Sequence, residues 1–188
     1  MKRLFLSIVI MFLAACSFRS PNSEFYMMSS TGLAPVSQKR MSVAVAKVKV
    51  PDLLDRSQMV TYDSQNNQVN ILEFNRWAEV LPDVLQTTVT NDLIAYLPQA
   101  YVKRTFFDNN GVNYNVNIEI NKIQAYRGKK VILSAWWNIA NASGRVLARQ
   151  QQTYETTVNG DSMADLVEAQ SQAVHLMSKD IAQQLLKL

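Results

Sequence analysis

Cysteine and histidine each occur once in the 188 residues, and these two shortages exclude more function classes than any motif includes. A single cysteine, Cys16, leaves no intramolecular disulfide. A single histidine, His175, supplies no zinc-type set of thiol and imidazole ligands. It also falls roughly 140° from the centre of its helix's apolar stripe at 3.6 residues per turn, which puts it in solvent and outside any Ser-His-Asp or Cys-His arrangement. Gly128-Lys129 lacks the Gly-x-x-x-x-Gly-Lys-Ser/Thr spacing of a phosphate loop. Asp52 with Asp55, and Glu73 with Glu79, fall in turns or junctions where nothing displaces a carboxyl toward acid–base work. Five glycines and five prolines are too few for a low-complexity chain, and no solenoid-length repeat is present. Lysines and arginines form no run that would track a phosphate backbone, so nucleic acid is not an expected partner. No stretch reaches the roughly 20 apolar residues that span a bilayer. The expectation is a protein that is not an enzyme and uses neither metal nor cofactor.

What is present begins at the N-terminus. Lys2 and Arg3 precede an apolar run over residues 4–13, interrupted only by Ser7 and ending in the small residues Ala14 and Ala15. This is the layout of a cleaved secretory signal. Leu13-Ala14-Ala15-Cys16 is similar to the lipobox of bacterial lipoproteins, in which the thiol accepts a diacylglycerol group and the chain is cut just before it. The competing reading is an ordinary signal with an incidental cysteine. An unpaired thiol in an oxidising compartment is a liability and an acylated one is not, which favours lipidation at Cys16. Two or more acyl chains make a stable anchor. Residues 1–15 are thus expected to be a signal peptide, 16–24 a lipidated tether carrying Ser, Arg, Pro and Asn, and 25–188 one domain. Removing residues 1–15 from 188 leaves 173, with a net charge reduced from +4 to +2 by the loss of Lys2 and Arg3. The tether reaches at most about 25–30 Å. Ser17 after the cysteine resembles the outer-membrane sorting pattern, so the domain is expected to face the periplasm from that membrane.

Phe25-Tyr26-Met27-Met28 is readable as a first strand, followed by a polar loop over 29–40. Residues 41–50, rich in valine, alternate as a strand and end at Pro51-Asp52. Residues 58–63 and 68–74 flank the turn-prone Ser64-Gln65-Asn66-Asn67, which predicts a hairpin. Asn75-Arg76-Trp77-Ala78-Glu79 leads into a first helix, with Pro82 in its first turn, Pro98 as a stop, and Leu81, Leu85, Val89, Leu93 and Tyr96 at helical spacing. Residues 112–120 alternate most strictly: Val112, Tyr114, Val116, Ile118 and Ile120 face one way, three asparagines and Glu119 the other. Short turns at 127–130 and 141–144 lead to strands at 131–139 and 145–158, an antiparallel meander. Residues 162–188 form a long helix capped by Asp161 or Ser162, with a stripe of Leu166, Gln170, Val174, Met177, Ile181 and Leu188. The predicted fold class is α+β, a two-layer antiparallel sheet with two amphipathic helices packed on one face.

Strand parity separates two adjacent tryptophans. Trp137 goes with Val131, Leu133, Ala135 and Ile139 into the core, and Trp136 goes with Ile132, Ser134 and Asn138 to the opposite face. There it is either covered by long neighbouring side chains or a contact anchor. Arg127, Lys129 and Lys130 at the turn are either solvated charges or a basic rim for an acidic partner or lipid headgroups. Trp136 with these three cations is the candidate interface.

The succession of Leu13-Ala14-Ala15-Cys16, Phe25-Tyr26, Val48-Lys49-Val50-Pro51-Asp52-Leu53-Leu54-Asp55, Asn75-Arg76-Trp77-Ala78-Glu79 and Gly128-Lys129-Lys130-Val131-Ile132-Leu133-Ser134-Ala135-Trp136-Trp137 resembles the PqiC-type (YmbA-like) ABC-type transport auxiliary lipoproteins. Val80 departs from the family's Trp-Ala-x-Pro-Leu, which affects only where the first helix begins. The resemblance implies a lipid-anchored outer-membrane protein that docks the mammalian-cell-entry (MCE) domain protein of an inner-membrane ABC system moving phospholipid between the membranes. A homo-oligomer, in the form of a ring, is among its implications. Two other classes remain open: a periplasmic lipid-binding carrier module, and a structural envelope lipoprotein independent of a transporter.

Overall fold

The computed structural model describes residues 21–63, 65, 68–105 and 111–188. The signal segment, Cys16 and the first part of the tether lie outside the described residues, as do three of the four residues of the predicted hairpin turn. The elements in chain order are β1 (Glu24–Tyr26), β2 (Ser42–Val45), β3 (Gln58–Tyr62), β4 (Val69–Trp77), α1 (Leu81–Tyr96), β5 (Tyr101–Arg104), β6 (Tyr114–Tyr126), β7 (Lys130–Asn141), β8 (Val146–Thr157) and α2 (Met163–Leu186). They form a five-stranded sheet in the order β5-β2-β6-β7-β8 and a three-stranded sheet in the order β1-β4-β3. The fold is α+β, with the meander β6-β7-β8 antiparallel throughout.

The helices cover one face of the larger sheet, and the space between is filled by Trp137, Leu85, Leu93, Leu133, Ile139, Leu166 and Met177, all fully buried. α1 starts at Leu81 without a side-chain cap, with a proline in its first turn. Its buried threonines are satisfied locally: Thr88 donates to the Val84 carbonyl at 2.8 Å and Thr90 to that of Gln86 at 2.7 Å. Gln86 fastens the helix to the sheet, donating from Nε2 to the Val45 carbonyl at 2.9 Å and to that of Thr105 at 3.2 Å. α2 is capped by Ser162, whose Oγ accepts from the Asp165 amide at 3.1 Å while Asp165 Oδ2 accepts from the Ser162 amide at 3.0 Å. The hydrogen bonds from Ser162 hold the Asp165 carboxyl below its usual range.

Several details depart from the sequence reading for identifiable reasons. The sheets are mixed: β2 runs parallel to both β5 and β6, and β1 parallel to β4. A crossover containing α1 separates β2 from β5, and a helical crossover returns the chain in the same direction. Only residues 42–45 of the valine-rich run form a strand, after which Lys49 makes a single bridge to Glu119. β6 extends well past Ile120 because a bulge between Ile120 and Lys122 resets the alternation, turning Ile123 and Ala125 inward. Leu188 lies beyond the end of α2 and is exposed, and Leu185 takes the last core position.

His175 is a correction. It does not lie in solvent: its side chain is 12% exposed, and Nδ1 sits 2.8 Å from Oδ2 of Asp92, whose side chain is fully buried. The projection from a single stripe fails because α2 is covered on two sides, by the sheet and by α1. Tyr96 reinforces the contact, its hydroxyl donating to the His175 carbonyl at 3.2 Å.

Candidate functional site

Trp136 stands on the sheet face opposite the helices, 43% exposed. The antiparallel register sets Glu119 of β6 and Gln151 of β8 beside it. One step along, Asn117, Asn138 and Arg149 line up in the same way, with Asn117 Nδ2 donating to Asn138 Oδ1 at 3.1 Å. The segment after β2 rises alongside β6, where the Ala46 and Lys49 amides donate to the Val116 and Ile118 carbonyls, each at 3.0 Å. That segment forms one wall of a groove of about 570 Å³, with β6 and β7 as its floor and Arg149 on the far side.

Lys47, Lys49 and Arg149 line this groove against a single carboxylate, Glu119. Lys47 reaches Asp83 at 3.4 Å from an exposed position, which screens little of its charge. An exposed indole beside guanidinium and ammonium groups is a surface suited to an acidic protein segment that also carries an apolar side chain.

The turn cations are elsewhere. Trp136 lies six residues along β7 from Lys130, roughly 20 Å at the rise of a strand. Arg127 donates from Nη2 to the Asp161 carbonyl at 2.8 Å, and Lys130 Nζ pairs with Glu155 Oε1 at 3.0 Å. Gly128, at φ 61°, makes the left-handed bend, and a side chain there would collide with Asp161. Arg127 and Lys129 line a second groove of about 320 Å³ with Thr61, Tyr62 and Tyr126. Burial pushes the Tyr62 phenol above its ordinary range, with Tyr126 adding to the effect.

Trp136 and the turn cations are therefore not one patch. The cations that do surround Trp136 were missed because they come from β8 and from the irregular segment after β2. Among the described residues, no three His, Asp or Glu side chains converge on a metal site. No helix among them is long and apolar enough to cross a membrane.

A family model described as the ABC-type transport auxiliary lipoprotein component matches residues 27–182. The chain belongs to this family. The match takes in the segments at 48–55, 75–79 and 128–137 and leaves Cys16 outside it. The intermembrane transport lipoprotein PqiC of Escherichia coli K12 is 26% identical to this auxiliary lipoprotein over 152 residues, 79% of each chain, and PqiC of Shigella flexneri gives the same figures. Two crystal structures share the fold. One, of an uncharacterized protein, has a TM-score of 0.72 at 20% identity and covers 88% of this chain and 99% of that one. The other, from Xanthomonas campestris, has a TM-score of 0.70 at 14% identity and covers 85% and 93%. An auxiliary lipoprotein of an ABC-type transporter is a component of the cell envelope, and the family is one of transport parts, not of enzymes.

Proposed function

We propose that this auxiliary lipoprotein is anchored in the outer membrane through acyl chains on Cys16, faces the periplasm, and docks the MCE-domain protein of an inner-membrane ABC system that moves phospholipid between the two membranes. The observation that carries the reading is the alignment with PqiC, named for intermembrane transport, over 79% of both chains. Residues 1–15 would be the signal, 16–24 the lipidated tether and 25–188 the docking domain, with identical copies assembled around the arriving complex. The groove at Trp136 is the docking face, its indole and three cations receiving an acidic segment of the partner. The space between helices and sheet, where a carrier would hold a lipid, is occupied by the buried side chains of Trp137 and its neighbours.

A photo-crosslinking amino acid at position 136 in intact cells tests the docking face. The expected adduct, identified by mass spectrometry, is an MCE-domain protein. Capture of lipid alone would replace docking by carriage. Anchoring has its own test. Cys16→Ser is expected to leave an unprocessed precursor in the inner membrane, and normal outer-membrane fractionation of that variant would refute acylation at Cys16.

A further inference from the structure

The three-stranded sheet leaves more apolar surface in water than its strand parity requires. Val69, Ile71 (45%) and Phe74 (39%) of β4, Phe25 (64%) of β1 and the following Met27 are all exposed. The ladder places them together. Val69 and Ile71 pair with Tyr62 and Val60 on the outward side, while Asn70 and Leu72 pair with the buried Thr61 and Met59. Between Met59 and Gln58 the register slips, so residues 73–75 of β4 have no partner on β3. The outward parity moves from odd to even there, so Phe74 and Arg76 follow Ile71 outward and Trp77 turns into the core. β1 then adds in parallel with Phe25 opposite Arg76, one diagonal step from Phe74.

We propose that this face rests on the leaflet that holds the anchor, with Phe25, Ile71 and Phe74 inserted at the boundary between headgroups and acyl chains. The inference rests on acylation at Cys16. The occupant is a lipid surface because of where the chain leaves the domain. Phe25 itself belongs to the patch and follows Cys16 by nine residues in sequence, so the patch lies within at most about 30 Å of extended chain from the anchor. Phenylalanine and isoleucine on a surface anchored within that distance gain from leaving water. Arg76 lies within the patch, 3.5 Å from Glu73, while Arg127 and Lys129 line the groove on the sheet's inward side with Thr61, Asn70 and Leu72. Glu24 is held by hydrogen bonds from Tyr26 at 2.5 Å and Asn75 at 3.2 Å.

The test uses full-length, acylated protein carrying Ile71→Cys, Phe74→Cys or, as reference, Trp136→Cys. Each is labelled with an environment-sensitive fluorophore and reconstituted into vesicles of phosphatidylethanolamine and phosphatidylglycerol containing brominated phosphatidylcholine. Labels at 71 and 74 are expected to lose roughly half their emission, as insertion by about 5–10 Å would bring them to the bromines, while the label at 136 keeps its own. Unquenched labels at 71 and 74 on protein that floats with the vesicles would overturn the inference and leave the anchor standing. Equal quenching at all three positions would also overturn it, since the domain would then have no fixed face toward the lipid. Unlabelled protein that fails to float would overturn the anchor, and this inference with it.

Discussion

Replacing Trp137 with alanine is expected to cost about 3–5 kcal/mol of unfolding free energy and to lower the melting temperature by roughly 10 °C for a domain of this size. Trp137 is 1% exposed, within β7 in the sheet interior, flanked in register by Ile118 and Gln150 and covered by the helices. Neighbours fixed in a sheet cannot collapse into the space that an indole vacates, so the cavity adds to the lost transfer energy. The adjacent Trp136→Ala is expected to change stability by no more than about 0.5 kcal/mol while abolishing docking, because its indole makes its contacts outside the core. Urea unfolding followed by circular dichroism reads both values. Similar losses for the two variants would mean that Trp136 is structurally covered and would remove it as a contact anchor.

His175→Ala is the second large effect, at about 3–5 kcal/mol, because it strands the fully buried Asp92 carboxylate without its partner. Asp92 Oδ2 lies 2.8 Å from the imidazole Nδ1, and Oδ1 has no hydrogen-bond partner in the interior, so no second group takes up the load. The pair spans the contact between α1 and α2, and losing it loosens the seam that also holds Tyr96 to the His175 carbonyl. Replacing both residues by leucine is expected to restore most of the loss, since apolar packing substitutes well for a buried polar pair once neither partner remains alone. The comparison of urea midpoints for His175→Ala and the double leucine variant decides the point. A loss of only about 0.5 kcal/mol for the single variant, typical of a surface site, would show that water reaches Asp92.

Features governed by local periodicity were legible in the sequence. The α1 stripe from Leu81 to Tyr96 is buried throughout, and the parity of β7 separated Trp136 from Trp137 correctly. Features set by long-range pairing were not. β5 is four residues long and carries no periodic signal of its own; its strand state comes from lying beside β2. The bulge at Asn121 hid the second half of β6, because a run that changes parity reads as a run that has ended. His175 was misplaced because a helical projection knows the stripe and not the neighbouring helix. Around Trp136, strand parity gave the exposed face of the indole but not the cations that share its groove. The basic turn was near Trp136 in sequence and about 20 Å away along the strand, whereas Lys47 and Lys49 reach the groove only through the parallel packing of their segment against β6.

That packing of β2 has a consequence for folding. β2 lies between β5 and β6, both of which follow it only after the hairpin and α1. A chain emerging from its N-terminus presents Val43 and Val45 early and has no strand on either side of them until most of the domain has followed. Pairing so distant in sequence closes late and slowly, and the unpaired apolar strand is a target for self-association in the meantime. The risk of aggregation is therefore concentrated in the interval before the domain can close around β2.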